Sequence, residues 1–171
     1  MDPQNRPLNA NSAMAEIRMR IAADADRARL IPMINAAFSI EEFLDGTRTD
    51  EERLAVAMEK GSILMAEDRD GKLLGSIYME SRGKQGYLGM LAVDPAEQGR
   101  GLARMLVEEA ERRFRNEGCE EIEIIVLNLR RELPAIYHRF GFVEAGVTEF
   151  KPSRTLRPGI ECHGIVMIKK L

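Results

Sequence analysis

The feature that most limits what this chain can fold into is a turn. An unbroken apolar run, Tyr87–Val93, is followed after Asp94-Pro95 by Gln98-Gly99-Arg100-Gly101-Leu102-Ala103. From there Leu102, Met105, Leu106, Ala110 and Phe114 recur at helical spacing until Gly118. A strand therefore ends in a glycine-bearing turn that hands the chain directly to an amphipathic helix. The first turn of a helix leaves N–H groups without internal partners, and the helix dipole favours negative charge beside them. Glycines let the backbone approach an anion closely and adopt positive φ. The combination reads as a phosphate cradle, with a plain sharp turn as the alternative. Two familiar phosphate motifs are missing: there is no GxxxxGKS/T, and Arg104 stands where GxGxxG needs its third glycine.

Around this turn the pattern alternates between strand and helix. Glu16–Ala22 sets Ile17, Met19 and Ile21 against charged neighbours, the period of a half-buried strand. Asp24 is expected to cap a helix running through Ile31 and Ile34 to Phe38, with Pro32 weakening its early turns. Phe43–Thr49 is irregular, and Asp50 opens a second helix that Gly61 stops. Ile63–Glu67 and Lys72–Ser81 read as a hairpin around Asp68–Gly71. Downstream come a strand at Glu121–Leu127, a short helix at Glu132–Phe140, a strand at Phe142–Val147, a long loop, and a last strand at Gly164–Ile168. The order β-α-α-β-β-β-α-β-α-β-β, with no repeat or low-complexity linker, predicts one α/β domain built on a mixed sheet over residues 16–171.

Bulk properties narrow the function classes. A net charge of −3 over 171 residues gives no general attraction to nucleic acid or to an anionic membrane. No apolar run approaches the roughly 20 residues a bilayer requires. Cys119 and Cys162, the two cysteines, lack metal or CxxC spacing, so no metal site and no disulfide framework is expected, and the default setting is the reducing cytoplasm. Met1–Ala15, rich in Asn and Pro and without a signal-peptide pattern, reads as a poorly ordered extension.

Two segments then carry a resemblance. Gln98–Ala103 fits the Q/R-x-x-G-x-G/A signature of the GNAT superfamily of N-acetyltransferases, and Leu133-Pro134-Ala135-Ile136-Tyr137-His138-Arg139-Phe140-Gly141-Phe142 is similar to that family's YxxxGF segment. The order of elements agrees over Ile17–Ile168. The resemblance implies a single-domain GNAT-like fold, a mixed and mostly antiparallel sheet of six or seven strands flanked by about four helices. It also implies acetyl-CoA as cosubstrate and direct transfer of its acetyl group to a primary amine in a ternary complex. On this sequence the pyrophosphate-binding backbone corresponds to Gly99, Arg100, Gly101, Leu102 and Ala103, preceded by Gln98, with Arg100 or Arg104 offering charge-assisted contacts. Gly101 is the position least expected to accept a side chain. Leu91 and Val93 correspond to the strand whose main chain pairs with the pantetheine arm and the acyl oxygen. Tyr137 corresponds to the tyrosine near the coenzyme sulfur, a general acid for the departing thiolate. As side chains, Leu91 and Val93 are also simple core residues, and Tyr137 is also a simple packed aromatic.

Two departures stand out. Asn128 lies slightly early, and Arg130 occupies the place where relatives carry a pantetheine-contacting asparagine. Gly89 stands where some relatives carry a carboxylate base. The base is left among Glu80, Glu41, Glu42, His163 and a water chain. In such folds Ser39–Thr49 and Thr148–His163 line the acceptor site. The first offers Glu41, Glu42 and Asp45 to a cationic group and the second Lys151, Arg154 and Arg157 to an acidic one, with ordinary solvated loops as the alternative for both. The acceptor is a small-molecule or peptide amine that the sequence does not identify. A homodimer stays open, as does a non-catalytic acyl-CoA-binding or regulatory domain.

Overall fold

Alternating burial organises the sheet. The computed structural model describes residues 16–151 and 153–171, so the expected extension 1–15 lies outside the described residues. In β2 (Ser62–Glu67), Leu64 and Ala66 face one side of the sheet while Ile63 and Met65 face the other, all four essentially inaccessible. Each face is then covered by helices. On one side α1 (Arg27–Phe38) supplies Leu30, Met33 and Ile34, and α2 (Glu51–Lys60) supplies Leu54. On the other, α3 (Leu102–Asn116) presents Leu106, Ala110 and Phe114 from the stripe read in the sequence, together with Val107, while Met105 is only half-buried. The short α4 (Leu133–Arg139) adds Tyr137 to that second core.

The remaining strands are β1 (Arg18–Ile21), β3 (Leu73–Arg82), β4 (Gln85–Val93), β5 (Glu121–Leu127), β6 (Val143–Glu149) and β7 (His163–Lys170). All seven join one sheet in the order β1-β2-β3-β4-β5-β7-β6, antiparallel throughout except for β4 with β5. This is the expected α/β architecture, a mostly antiparallel sheet of seven strands with four helices. Among the described residues no helix is long and apolar enough to cross a membrane.

The start of the chain departs from expectation in two respects. Asp24 does not cap α1. It opens a single 3-10 turn, Asp24–Asp26, and the Asp26 carboxylate accepts the Ala23 N–H at 2.8 Å. The second departure is in β1, where Ile17 and Met19 pack on the core but Ile21 is 39% exposed. On the opposite face of β1 the Arg20 guanidinium donates to both oxygens of Asp26 at 2.7 and 2.9 Å and to Glu67 at 3.0 Å. Those bonds hold the Asp26 carboxyl well below the usual carboxylate range. Pro32 sits inside α1 on its exposed side, and the helix continues because Leu30, Met33 and Ile34 are buried around it.

Candidate active site

The site begins where two strands part. β4 and β5 pair only from Gln85 to Leu88 against Glu121 to Ile124. Beyond Leu88 the β5-facing main chain of β4 has no strand partner among the described residues, and a cleft opens. A bulge between Ser76 and Tyr78 on the β3 side bends β4 at the same place, and Met90 adopts φ +45° there. A non-glycine residue in that region of backbone space costs on the order of 1 kcal/mol, a strain typical of functional sites.

The turn to α3 closes the lower end of the cleft. Gly99 and Gly101 both hold φ +80°, and Gly101 is the N-cap of α3 with no side chain accepting from the first turn. α2 starts differently: Asp50 accepts the Arg53 N–H at 2.8 Å. The chain thus closes one helix start with its own carboxylate and leaves the other open. The first-turn N–H groups of α3 face a cavity of about 730 Å³. Nine of the ten residues named from the sequence line it: Leu91, Val93, Gln98, Gly99, Gly101, Leu102, Ala103, Arg104 and Tyr137. Arg100 does not; it is exposed and paired with Glu97. Arg104 also has partners already, since it donates to the Arg139 carbonyl at 3.2 Å and lies 4.9 Å from the Phe140 ring centroid.

A second cavity, of about 410 Å³, lies on the other side of a waist formed by Phe38, Leu91, Arg130, Leu133 and Tyr137, which line both spaces. Tyr137 is held there by edge-to-face contacts with Phe140 and Phe142 at 5.9 and 5.6 Å. Burial pushes its phenol up to about 12, with Arg130 working the other way, so it is a proton donor throughout the ordinary pH range. His138, its neighbour, is exposed.

The two loops of opposite charge pair with each other. An isolated bridge joins Leu44 to Leu156, and the Asp45 N–H donates to the Thr155 carbonyl at 2.8 Å. Arg157 donates to Asp45 at 3.2 Å. Glu41 is buried, one oxygen accepting from Arg130 at 3.1 Å and the other from Arg154. Its lone pairs are therefore engaged by two guanidinium groups. Glu80 lies outside both cavities, and its bonds from Arg82 and Tyr78 hold its carboxyl below the ordinary value. Glu42 and His163 are exposed and line neither cavity. Asn128 ties two strand ends together, its side-chain oxygen accepting the His163 N–H at 2.8 Å. Arg130 is bound to Glu132 as well as to Glu41.

The sequence reading missed two residues of the second cavity. Tyr87 explains the glycine beside it, because a Cβ at Gly89 would come within 3.2 Å of the Tyr87 ring. The Tyr87 phenol fills the space beside Gly89, and an aromatic two residues before a glycine in an apolar strand was the available signal. Arg48 lines the same cavity with its guanidinium 5.1 Å from the Phe38 ring centroid. Nothing local in the sequence distinguishes it from an ordinary loop arginine.

Comparison with known proteins points the same way as this geometry. A family model described as "Acetyltransferase (GNAT) family" matches residues 28–142. The mycothiol acetyltransferase of Beutenbergia cavernae is 34% identical over 85 residues, 49% of this chain and 29% of that protein. The chain spans between about a third and a half of the curated relatives it matches. Among solved structures, a GNAT family acetyltransferase from Elizabethkingia anophelis with acetyl-CoA bound superposes with TM-score 0.70 at 15% identity, over 91% of this chain and 99% of that one. The ribosomal-protein-S18-alanine N-acetyltransferase from Escherichia coli gives 0.69 at 20% identity, over 90% and 93%. At these identities the structural matches establish the fold alone.

Proposed function

Because the chain belongs to the GNAT acetyltransferase family, we propose that it transfers an acetyl group from acetyl-CoA to a primary amine held in the second cavity. The observation that carries this reading is the open start of α3, with two glycines at φ +80° and no capping side chain, in the same cavity as Tyr137. The residues present fit the cosubstrate. The N–H groups of Leu102 and Ala103, with the turn from Gly99 to Gly101, receive the pyrophosphate. The unpaired main chain of β4 around Leu91 and Val93 runs along the pantetheine arm and donates to the acyl oxygen. Acetyl-CoA supplies an activated thioester carbonyl, and the chain supplies position and protons.

At the waist Tyr137 faces the sulfur. A thiol has an ordinary pKa of about 8.5, so full proton transfer from a phenol near 12 is uphill by about 5 kcal/mol. Tyr137 therefore acts first as a hydrogen-bond donor that stabilises developing thiolate charge. The acceptor must lose a proton before it attacks, since an alkylammonium has a pKa of about 10.4. Glu41 is occupied by two arginines, so the proton leaves through water in the open cavity. Two unpaired thiols, Cys119 and Cys162, suit a cytoplasmic setting.

Among the described residues the second cavity has no buried carboxylate free of ion pairs, and this favours one other reading, an acyl-CoA-binding domain without turnover. One experiment separates the two. Calorimetric titration with acetyl-CoA should give micromolar binding, and Tyr137→Phe should keep that affinity while kcat falls about 100-fold. Binding without turnover in the native chain would favour the second reading, and no binding by folded protein would end both.

A further inference from the structure

Arg48 is an unanswered charge in the second cavity. It belongs to the loop after α1, and among the described residues its guanidinium donates no hydrogen bond and forms no ion pair. The Phe38 ring beside it makes a cation–π contact at 5.1 Å that leaves its five N–H donors without an oxygen acceptor. The acidic group nearest in kind is already spent, because Glu41 gives one oxygen to Arg130 and the other to Arg154. The charged lining as a whole is Arg48, Arg130, Lys151 and Arg154 against Glu41 and Glu149, and Glu149 is exposed at the end of β6. Burial and the neighbouring Arg154 both work against the Arg48 charge, although Glu41 and Tyr87 partly offset them. A half-buried cation that its own chain leaves uncompensated is stabilised by an anion brought in from outside. The coenzyme does not supply that anion, because its phosphates belong to the cradle of α3 and Arg48 lines only the second cavity.

We infer that the acceptor is a small primary amine that also carries a carboxylate, and that Arg48 receives the carboxylate while the amino group faces the waist at Tyr137. This rests on the acetyltransferase reading above. A planar guanidinium with unoccupied donors matches a carboxylate in a two-bond geometry. Tyr87, whose hydroxyl has no hydrogen-bond partner among the described residues, stands on the strand facing the same space and adds a neutral donor. The cavity, at about 410 Å³, has room for an amino acid. The pairing of the two loops by Asp45 with Arg157 and Glu41 with Arg154 leaves Arg48 out.

The test measures coenzyme A release by the full chain with acetyl-CoA and a panel of amines. The panel holds the common amino acids, β-alanine and 4-aminobutyrate, each beside its primary amide and its decarboxylated amine. The best acceptor should be an acid, with kcat/KM at least about 100-fold above its amide. Arg48→Gln should raise KM for the acid about 100-fold, leave the amide unchanged, and keep the native thermal midpoint and acetyl-CoA affinity. Arg48→Lys should recover part of the loss. Amides or plain amines accepted as well as the acids would overturn the inference, even if no variant folds, because that comparison uses the native chain. So would an Arg48→Gln loss equal for acid and amide, or no turnover of the panel by a chain that binds acetyl-CoA. Failure to bind acetyl-CoA is a different result, and it removes the acetyltransferase reading itself.

Discussion

The two cavities that meet at Tyr137 are built by different means. One is made of main chain: an uncapped helix start, two glycines at positive φ and the free edge of β4. The other is made of side chains drawn from α1 and the loop after it, the β5–α4 connection and the β6–β7 loop, and its character comes from which charges cancel. A main-chain site depends on shape, so it tolerates changes of side-chain chemistry and fails when the backbone moves. A side-chain site can change its ligand by one substitution while the frame stays the same.

That contrast can be broken in three places. Gly101→Val should have the largest effect, weakening acetyl-CoA about 1000-fold in calorimetry, because a β-branched residue resists φ +80° and its methyls enter the phosphate path. If affinity survives in a folded variant, the cradle is not where the pyrophosphate sits. Glu41→Gln should come next and act on the other cavity. It leaves the buried Arg154 guanidinium with a neutral partner, while Arg130 keeps Glu132, and stability in urea should fall by about 3 kcal/mol. Acetyl-CoA affinity should stay within about threefold of native, and a large loss there would mean that the cavities are not separable. Arg100→Ala should be the mildest, changing acetyl-CoA affinity less than about threefold, since an exposed arginine paired with Glu97 is worth little. A larger loss would show that the cradle uses side-chain charge after all.

The same division explains what the sequence disclosed. The turn is contiguous from Gln98 to Ala103, and α3 follows it at helical period, so local rules were enough to place the strand-to-helix turn. The strands of the central hairpin and the role of Gly118 as a helix stop are local in the same way. The second cavity was half legible. Its two loops were anticipated from the family resemblance, but Glu41 and Arg154 are 113 residues apart, and no spacing rule says that they meet. Read separately, each could serve a ligand or solvent; in the structure each serves the other. Arg48 could be recognised as the remainder only once those pairs were known. β1 shows the same limit on a smaller scale, where Arg20 rather than Ile21 is held because Asp26 and Glu67 converge on it.

One consequence of the strand order concerns how the molecule comes into being. β7 is the last strand in sequence, yet it lies between β5 and β6, and among the described residues it is the only strand with which β6 pairs. While the chain is being made, residues 121 to 149 leave the ribosome with one whole edge of their partnering still unsynthesised. The wall that β5 gives to the second cavity is braced only when His163–Lys170 slides in beside it. The strands up to β4 are neighbours in sequence as well as in the sheet, whereas the β5 wall of the cleft depends on eight residues that follow it only after α4 and β6.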